Sequence, residues 1–174
     1  CMWFFINQGI LEGTKAITAK YNQVAKMNFP LSILPSYLVV SKFYAHLMLL
    51  FIIMLLCAIG GYLPTMYTIQ LLIFVPYTLI FTMVISLLTS TLGIIIRDTQ
   101  MVIQASMRII FFVSSILYLP TNQIVLNVIK LNPIYFIVEG YRYSILYHKW
   151  FFSDHWKLLI YNLALLLVIY IIGA

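Results

Sequence analysis

Charge is what this sequence most lacks. Ten Lys and Arg and four Asp and Glu serve 174 residues, so 8% of the chain is charged and 64% is hydrophobic. A soluble domain carries about 25% charged residues, because a solvated surface needs groups that water favours. The scarcity is also concentrated. Between Lys42 and Arg97 there is no Lys, Arg, Asp or Glu, and the titratable groups that remain are His46, Cys57 and tyrosines. About 18 apolar residues already suggest a spanning helix, and this stretch has room for two with a turn between them. The fold class that follows is all-α: a polytopic helical bundle integral to a membrane.

Other absences narrow the function. Two cysteines, Cys1 and Cys57, give neither a disulfide framework nor a metal-ligand spacing, and Cys57 sits in an apolar run as a small hydrophobe. No metal site is expected. There is no GxxxxGK phosphate loop, no HExxH and no GxSxG. Any use of ATP therefore belongs to a partner or to a part of the protein outside this sequence. A membrane enzyme would gather Asp, Glu and His at one membrane face; Glu139, Asp154, His148 and His155 are the nearest approach. The net charge of +6 is spread through the connections between apolar runs, which excludes the clustered basic face that nucleic acid requires.

What is present reads as a series of spans. Residues 1–14 are the end of a span, and 15–42 form a basic loop with the start of the next span, holding Lys15, Lys20, Lys26 and Lys42. Phe29-Pro30 and Leu34-Pro35 interrupt any helix there, since proline lacks an N–H and constrains its predecessor. Spans follow at 43–59 and 71–96, separated by the uncharged Gly60-Gly61 and Pro64 turn; Pro76 inside the second is tolerable in a membrane helix. A connection at 97–108 carries Arg97, Asp98 and Arg108. Asp98 is placed to N-cap the next span, 101–119, and Arg108 to snorkel to the nearby surface. Residues 120–157 read as external or re-entrant helices, with Asn132-Pro133 as N-cap and first helical residue. A last span at 158–174 is preceded by a Ser153-Asp154 cap. The chain opens on Cys-Met-Trp-Phe-Phe inside an apolar segment and ends on Ile-Ile-Gly-Ala without a basic flank, so it is read as an internal piece of a longer protein. By the positive-inside rule, 15–42 and 97–108 are cytoplasmic, while 60–70 and 120–157 are external.

Four stretches carry a resemblance that covers nearly the whole chain. They are Trp3-Phe4-Phe5 with Gly9 and the basic AKMNFPLSILP (25–35); STLGIIIRDTQ (90–100); FFVSSILYLP (111–120); and LNPIYFIVEGYRYSIL (131–146). In order and spacing they resemble the membrane subunits of type-2 ABC exporters of polysaccharides. WFFINQGILEGTKAI looks closest to teichoic acid translocation permeases of Gram-positive bacteria. One departure is Ser114-Ser115-Ile116, where that family usually has Ser-Pro-Ile, so a kink at that point is in doubt. The resemblance implies a permease subunit without catalytic site or cofactor of its own. Its partners would be cognate ABC ATPase subunits holding ATP and Mg, a second copy of itself in a homodimer, membrane lipids, and a lipid-linked anionic glycopolymer as cargo.

Each candidate residue has a plainer alternative beside it. Lys20, Lys26, Asn28, Phe29 and Pro30 are candidates for coupling to the ATPase; four lysines can also simply set topology and touch anionic headgroups, at about 1 kcal/mol each. Arg97 and Asp98 could anchor a second cytoplasmic contact or merely end a helix. Trp3, Phe4, Phe5, Phe111, Phe112 and Tyr118 are candidates for a sugar conduit, since rings stack on pyranose faces; such rings also face lipid or form interfacial belts. Glu139 and Arg142, three apart on one helix face, can pair and shape an exit gate if their helix re-enters the membrane. His46 has no acidic partner in its span and is expected to hydrogen-bond a neighbouring helix. The alternative function is a secondary transporter or channel, which the charge-free stretch disfavours because proton coupling needs an acid near mid-membrane.

Overall fold

A computed structural model describes residues 2–24, 33–61, 65–96, 98–114, 129–147 and 149–173; the side chains of 18, 20–24 and 152–155 fall outside that description. The elements are α1 (Met2–Val24), α2 (Ile33–Ile59), a 3₁₀ turn (Met66–Gln70), α3 (Leu71–Ile95), α4 (Thr99–Val113), α5 (Pro133–Arg142), a π-helical turn (Tyr143–Tyr147) and α6 (Phe151–Gly173). Among the described residues there is no strand. Ile33–Ile59, Met66–Ile95 and Trp156–Gly173 are long and apolar enough to cross a membrane, and α4 is a shorter apolar helix. Their outward faces are apolar: Met48 and Phe51 on α2 are 74% and 68% exposed, and Leu167, Ile171 and Ile172 on α6 are exposed as well. A water-soluble monomer does not carry apolar surface on this scale. The protein is an all-α membrane helical bundle.

Several expected boundaries move. Residues 15–24 continue α1 as helix, and Leu34-Pro35 lies in the first turn of α2, where proline removes no intrahelical bond. Of the expected loop only 25–32 separates the two helices. Of the expected 101–119 span, Thr99–Val113 is helix and the Ser114 N–H donates to the Ile110 carbonyl at 2.8 Å, while 115–119 lie outside the described residues. Since α6 begins at Phe151, Ser153 and Asp154 lie inside its first turn instead of capping it.

The centre of the bundle is α3, which packs against α1, α2, α4, α5 and α6. Between apolar helices in lipid, close backbone approach replaces the hydrophobic effect as the source of association, so small residues are expected at the seam. Here α1 supplies Gly9 and Gly13, and α3 supplies Thr78, Thr82, Ser86 and Ser90 at intervals of four. A Cβ on Gly9 would lie 2.6 Å from Thr82 Cγ2, and one on Gly13 would overlap the Ser86 side chain. The Thr14 hydroxyl bonds to Thr89 Oγ1 at 2.9 Å and donates to its own Ile10 carbonyl at 2.7 Å. These pairings climb both helices in the same direction, so α1 and α3 run parallel. The Thr78 and Thr82 hydroxyls donate back to the carbonyls of Phe74 (2.6 Å) and Thr78 (2.8 Å), so both buried hydroxyls are satisfied within α3.

Helix α5 is buried from Ile134 to Tyr141 and is only about 15 Å long, half the hydrocarbon thickness. Asn132 caps it as expected, accepting from the Ile134 N–H at 3.0 Å with Pro133 at the first helical position. Its amide also donates to Ser114 Oγ at 2.9 Å, tying α5 to the end of α4. Gly140 lets the Phe74 ring lie against the α5 backbone, and Phe74, Phe136 and Phe151 pack around it with centroids 5.3–5.6 Å apart. His46 does meet a neighbouring helix: its Nε2 lies 3.2 Å from the Tyr141 hydroxyl, and its ring stacks on Phe5.

Candidate functional site

Residues four apart on a helix share a face, and on α4 that face carries Gln100, Gln104 and Arg108. Gln104 and Arg108 are exposed, Gln100 partly so. Arg108 lies about 15 Å along α4 from Asp98, at the turn that joins α4 to α3. Beside it α1 and α4 enclose a groove of about 300 Å³ lined by Trp3, Phe4, Asn7, Met107, Arg108, Phe111 and Phe112. Met107 is buried at its floor. Trp3 and Phe111 pack at 5.2 Å with planes tilted by 49°, and Phe111 meets Phe112 edge-on at 5.5 Å. Among the described residues Arg108 forms no ion pair. A cation set against the hydrocarbon of a bilayer costs about 3 kcal/mol or more, which favours a site that faces protein, water or a membrane surface.

Four of the six predicted conduit aromatics, Trp3, Phe4, Phe111 and Phe112, are thus brought together. Phe5 is not among them. It is buried on the α2 side of α1, against Phe43 at 5.7 Å and His46 at 5.0 Å, because one residue step turns a helical side chain by about 100°. Tyr118 lies outside the described residues. On that same α2 side a smaller cleft of about 200 Å³ is lined by Phe4, Phe5, Gln8, Lys42, Ala45, His46 and Leu49. An ion pair joins the two helices nearby, Lys42 Nζ to Glu12 Oε1 at 2.8 Å.

Glu139 and Arg142 do pair, at 3.3 Å within α5, with the carboxylate side chain 9% exposed. They contribute nothing to the groove lining. Of the coupling candidates, Lys26, Asn28, Phe29, Pro30 and Arg97 lie outside the described residues, and Lys20 is placed only as part of the α1 backbone. Asp98 is exposed at the N-cap position of α4, yet its side chain makes no capping bond. The joint is held by Thr99, whose hydroxyl lies 2.8 Å from the Ile96 carbonyl and 3.2 Å from that of Leu92.

Sequence reasoning missed Asn7, Met107 and Arg108 as lining residues and placed Arg108 near the start of its span, whereas it lies past the middle of α4. The i, i+4 stripe of Gln100, Gln104 and Arg108 was the available signal. It also missed Gln70, whose fully buried carboxamide donates to the Lys149 carbonyl (2.9 Å) and accepts from the Phe151 N–H (2.9 Å), joining the start of α3 to the start of α6.

No protein-family profile matches the chain. The O-antigen export system permease protein RfbA of Myxococcus xanthus is 22% identical to it over 152 residues, which is 84% of this chain and 58% of the relative. The chain therefore spans somewhat over half the length of that protein.

Proposed function

We propose that this chain is part of the permease subunit of an ABC transporter that exports a lipid-linked glycopolymer, with a second copy and cognate ATPase subunits completing the machine. The observation that carries this reading is the α1–α4 groove. An exposed cation and two exposed or half-exposed amides run along one face of α4, beside a tilted and an edge-on pair of aromatic rings. Lipid is a poor neighbour for that face, and a hydrated polymer of sugars is a good one, since rings stack on pyranose faces and amides and guanidinium meet hydroxyls and anions. The distant likeness to an O-antigen export permease supports the same class. The finer reading is an anionic polymer of the teichoic acid type.

In this mechanism the groove and its copy from the second subunit form the wall of the conduit, and ATP binding and hydrolysis on the partner ATPases gate it from the cytoplasmic side. Proton coupling finds little support in the same geometry. Glu12 is held by Lys42 and His46 by Tyr141, both on the α2 side of α1. The test is to purify the full-length protein with its cognate ATPase, delete its gene, and measure surface polymer. A stable complex and loss of surface polymer are expected. No complex together with unchanged polymer would overturn the proposal, and transport that follows the proton gradient without ATP would replace it.

A further inference from the structure

We propose that Arg108 is the residue by which the α1–α4 groove reads charge on its cargo, admitting a phosphodiester-bearing segment in preference to neutral sugar. This rests on the groove being part of the conduit. Among the described side chains no acid pairs with Arg108: Glu12 pairs with Lys42, Glu139 pairs with Arg142, and Asp98 lies about 15 Å back along α4. On those side chains the groove presents a positive charge. Its walls are Trp3, Phe4, Met107, Phe111 and Phe112, a surrounding of low polarity in which Coulomb attraction is stronger than in water.

The geometry suits an oxyanion such as phosphate. A guanidinium offers paired N–H donors whose fork matches two oxygens of one phosphate, and Asn7 sets a carboxamide in the same lining. The rings on either side suit the sugars that flank a phosphodiester. At about 300 Å³ the groove is at the small end of ligand sites, so it holds roughly one repeat at a time as the chain passes. A phospholipid headgroup is the competing source of the same chemistry.

The test uses the full-length protein with its cognate ATPase in phosphatidylcholine nanodiscs. The probes are a fluorescent glycerol-phosphate oligomer and a neutral dextran oligomer of equal length, followed by anisotropy. Arg108→Gln should weaken the phosphate oligomer about tenfold and leave dextran within about twofold, and Arg108→Lys should keep part of the preference. An unchanged phosphate oligomer, or equal loss of both probes, would overturn the assignment. Repeating the titration in phosphatidylglycerol nanodiscs separates the sources: an Arg108→Gln effect that occurs only there marks a lipid site and also overturns it. Trp3→Leu and Phe111→Leu test the underlying conduit independently, since both probes should weaken. If neither does, the conduit fails whatever Arg108 shows.

Discussion

Replacing Gly13 by alanine sets two well-measured effects against each other. In a helix interior alanine is favoured over glycine by about 1 kcal/mol, so on propensity alone the variant should be more stable. At the α1–α3 seam the new methyl would overlap Ser86. Turning the serine hydroxyl away does not relieve this, because the Ser86 Cβ itself lies 2.8 Å from the added carbon and its Cα 3.6 Å. The helices must separate, and overpacking of this kind costs about 1–3 kcal/mol. The net expectation is a loss of about 1 kcal/mol for Gly13→Ala and a larger loss for Gly13→Val. Ser86→Ala should not rescue, since it keeps Cβ. Ser86→Gly should rescue, giving a favourable coupling of about 1–2 kcal/mol in a double-mutant cycle. Unfolding of the detergent-solubilised protein by graded SDS, followed by tryptophan fluorescence, reads these differences. Gly13→Ala as stable as wild type or more so would refute the close seam.

Three further outcomes follow from other contacts. Gln70→Leu leaves the Phe151 N–H and Lys149 carbonyl without their shared partner and should cost about 1–3 kcal/mol, seen as a lower melting temperature and faster amide exchange near the start of α6. Arg142→Met strands the buried Glu139 carboxylate and should cost about 3 kcal/mol, against a smaller loss for the neutral isostere Glu139→Gln; equal losses would argue against a charged pair. For the half-exposed Glu12–Lys42 bridge, exchanging the two residues should restore whatever either single change removes, within about 1 kcal/mol in the same unfolding assay.

Sequence gave reliable access to what depends on local composition. The absence of charge from Lys42 to Arg97 located two spans, Asn132-Pro133 announced the start of α5, and the spacing of Glu139 and Arg142 announced their pairing. Lysines were a poorer guide. They mark where the chain leaves the hydrocarbon, which says nothing about backbone conformation, so α1 continues as helix through residues read as loop. Arg108, read near the start of its span, lies past the middle of α4, because that helix begins at Thr99, which bonds back to the end of α3. Pairings between distant segments were not legible at all. Nothing near Glu12 points to Lys42, and nothing near Gln70 points to residues 149–151. The Gly9–Gly13 spacing is the exception, since small residues four apart signal a close helix contact even when the partner helix is unknown.

The conduit is most directly tested by the water accessibility of α4. In full-length protein freed of native cysteines and reconstituted with its ATPase, single cysteines at Gln104, Phe112 and, on α1, Asn7 should react with a charged, membrane-impermeant thiosulfonate. Cysteines at Met48 and Phe51 on the apolar face of α2 should not. Added polymer should protect the first set. Reactivity at Gln104, Asn7 and Phe112 no higher than at Met48 and Phe51 would place lipid, not cargo, against this groove.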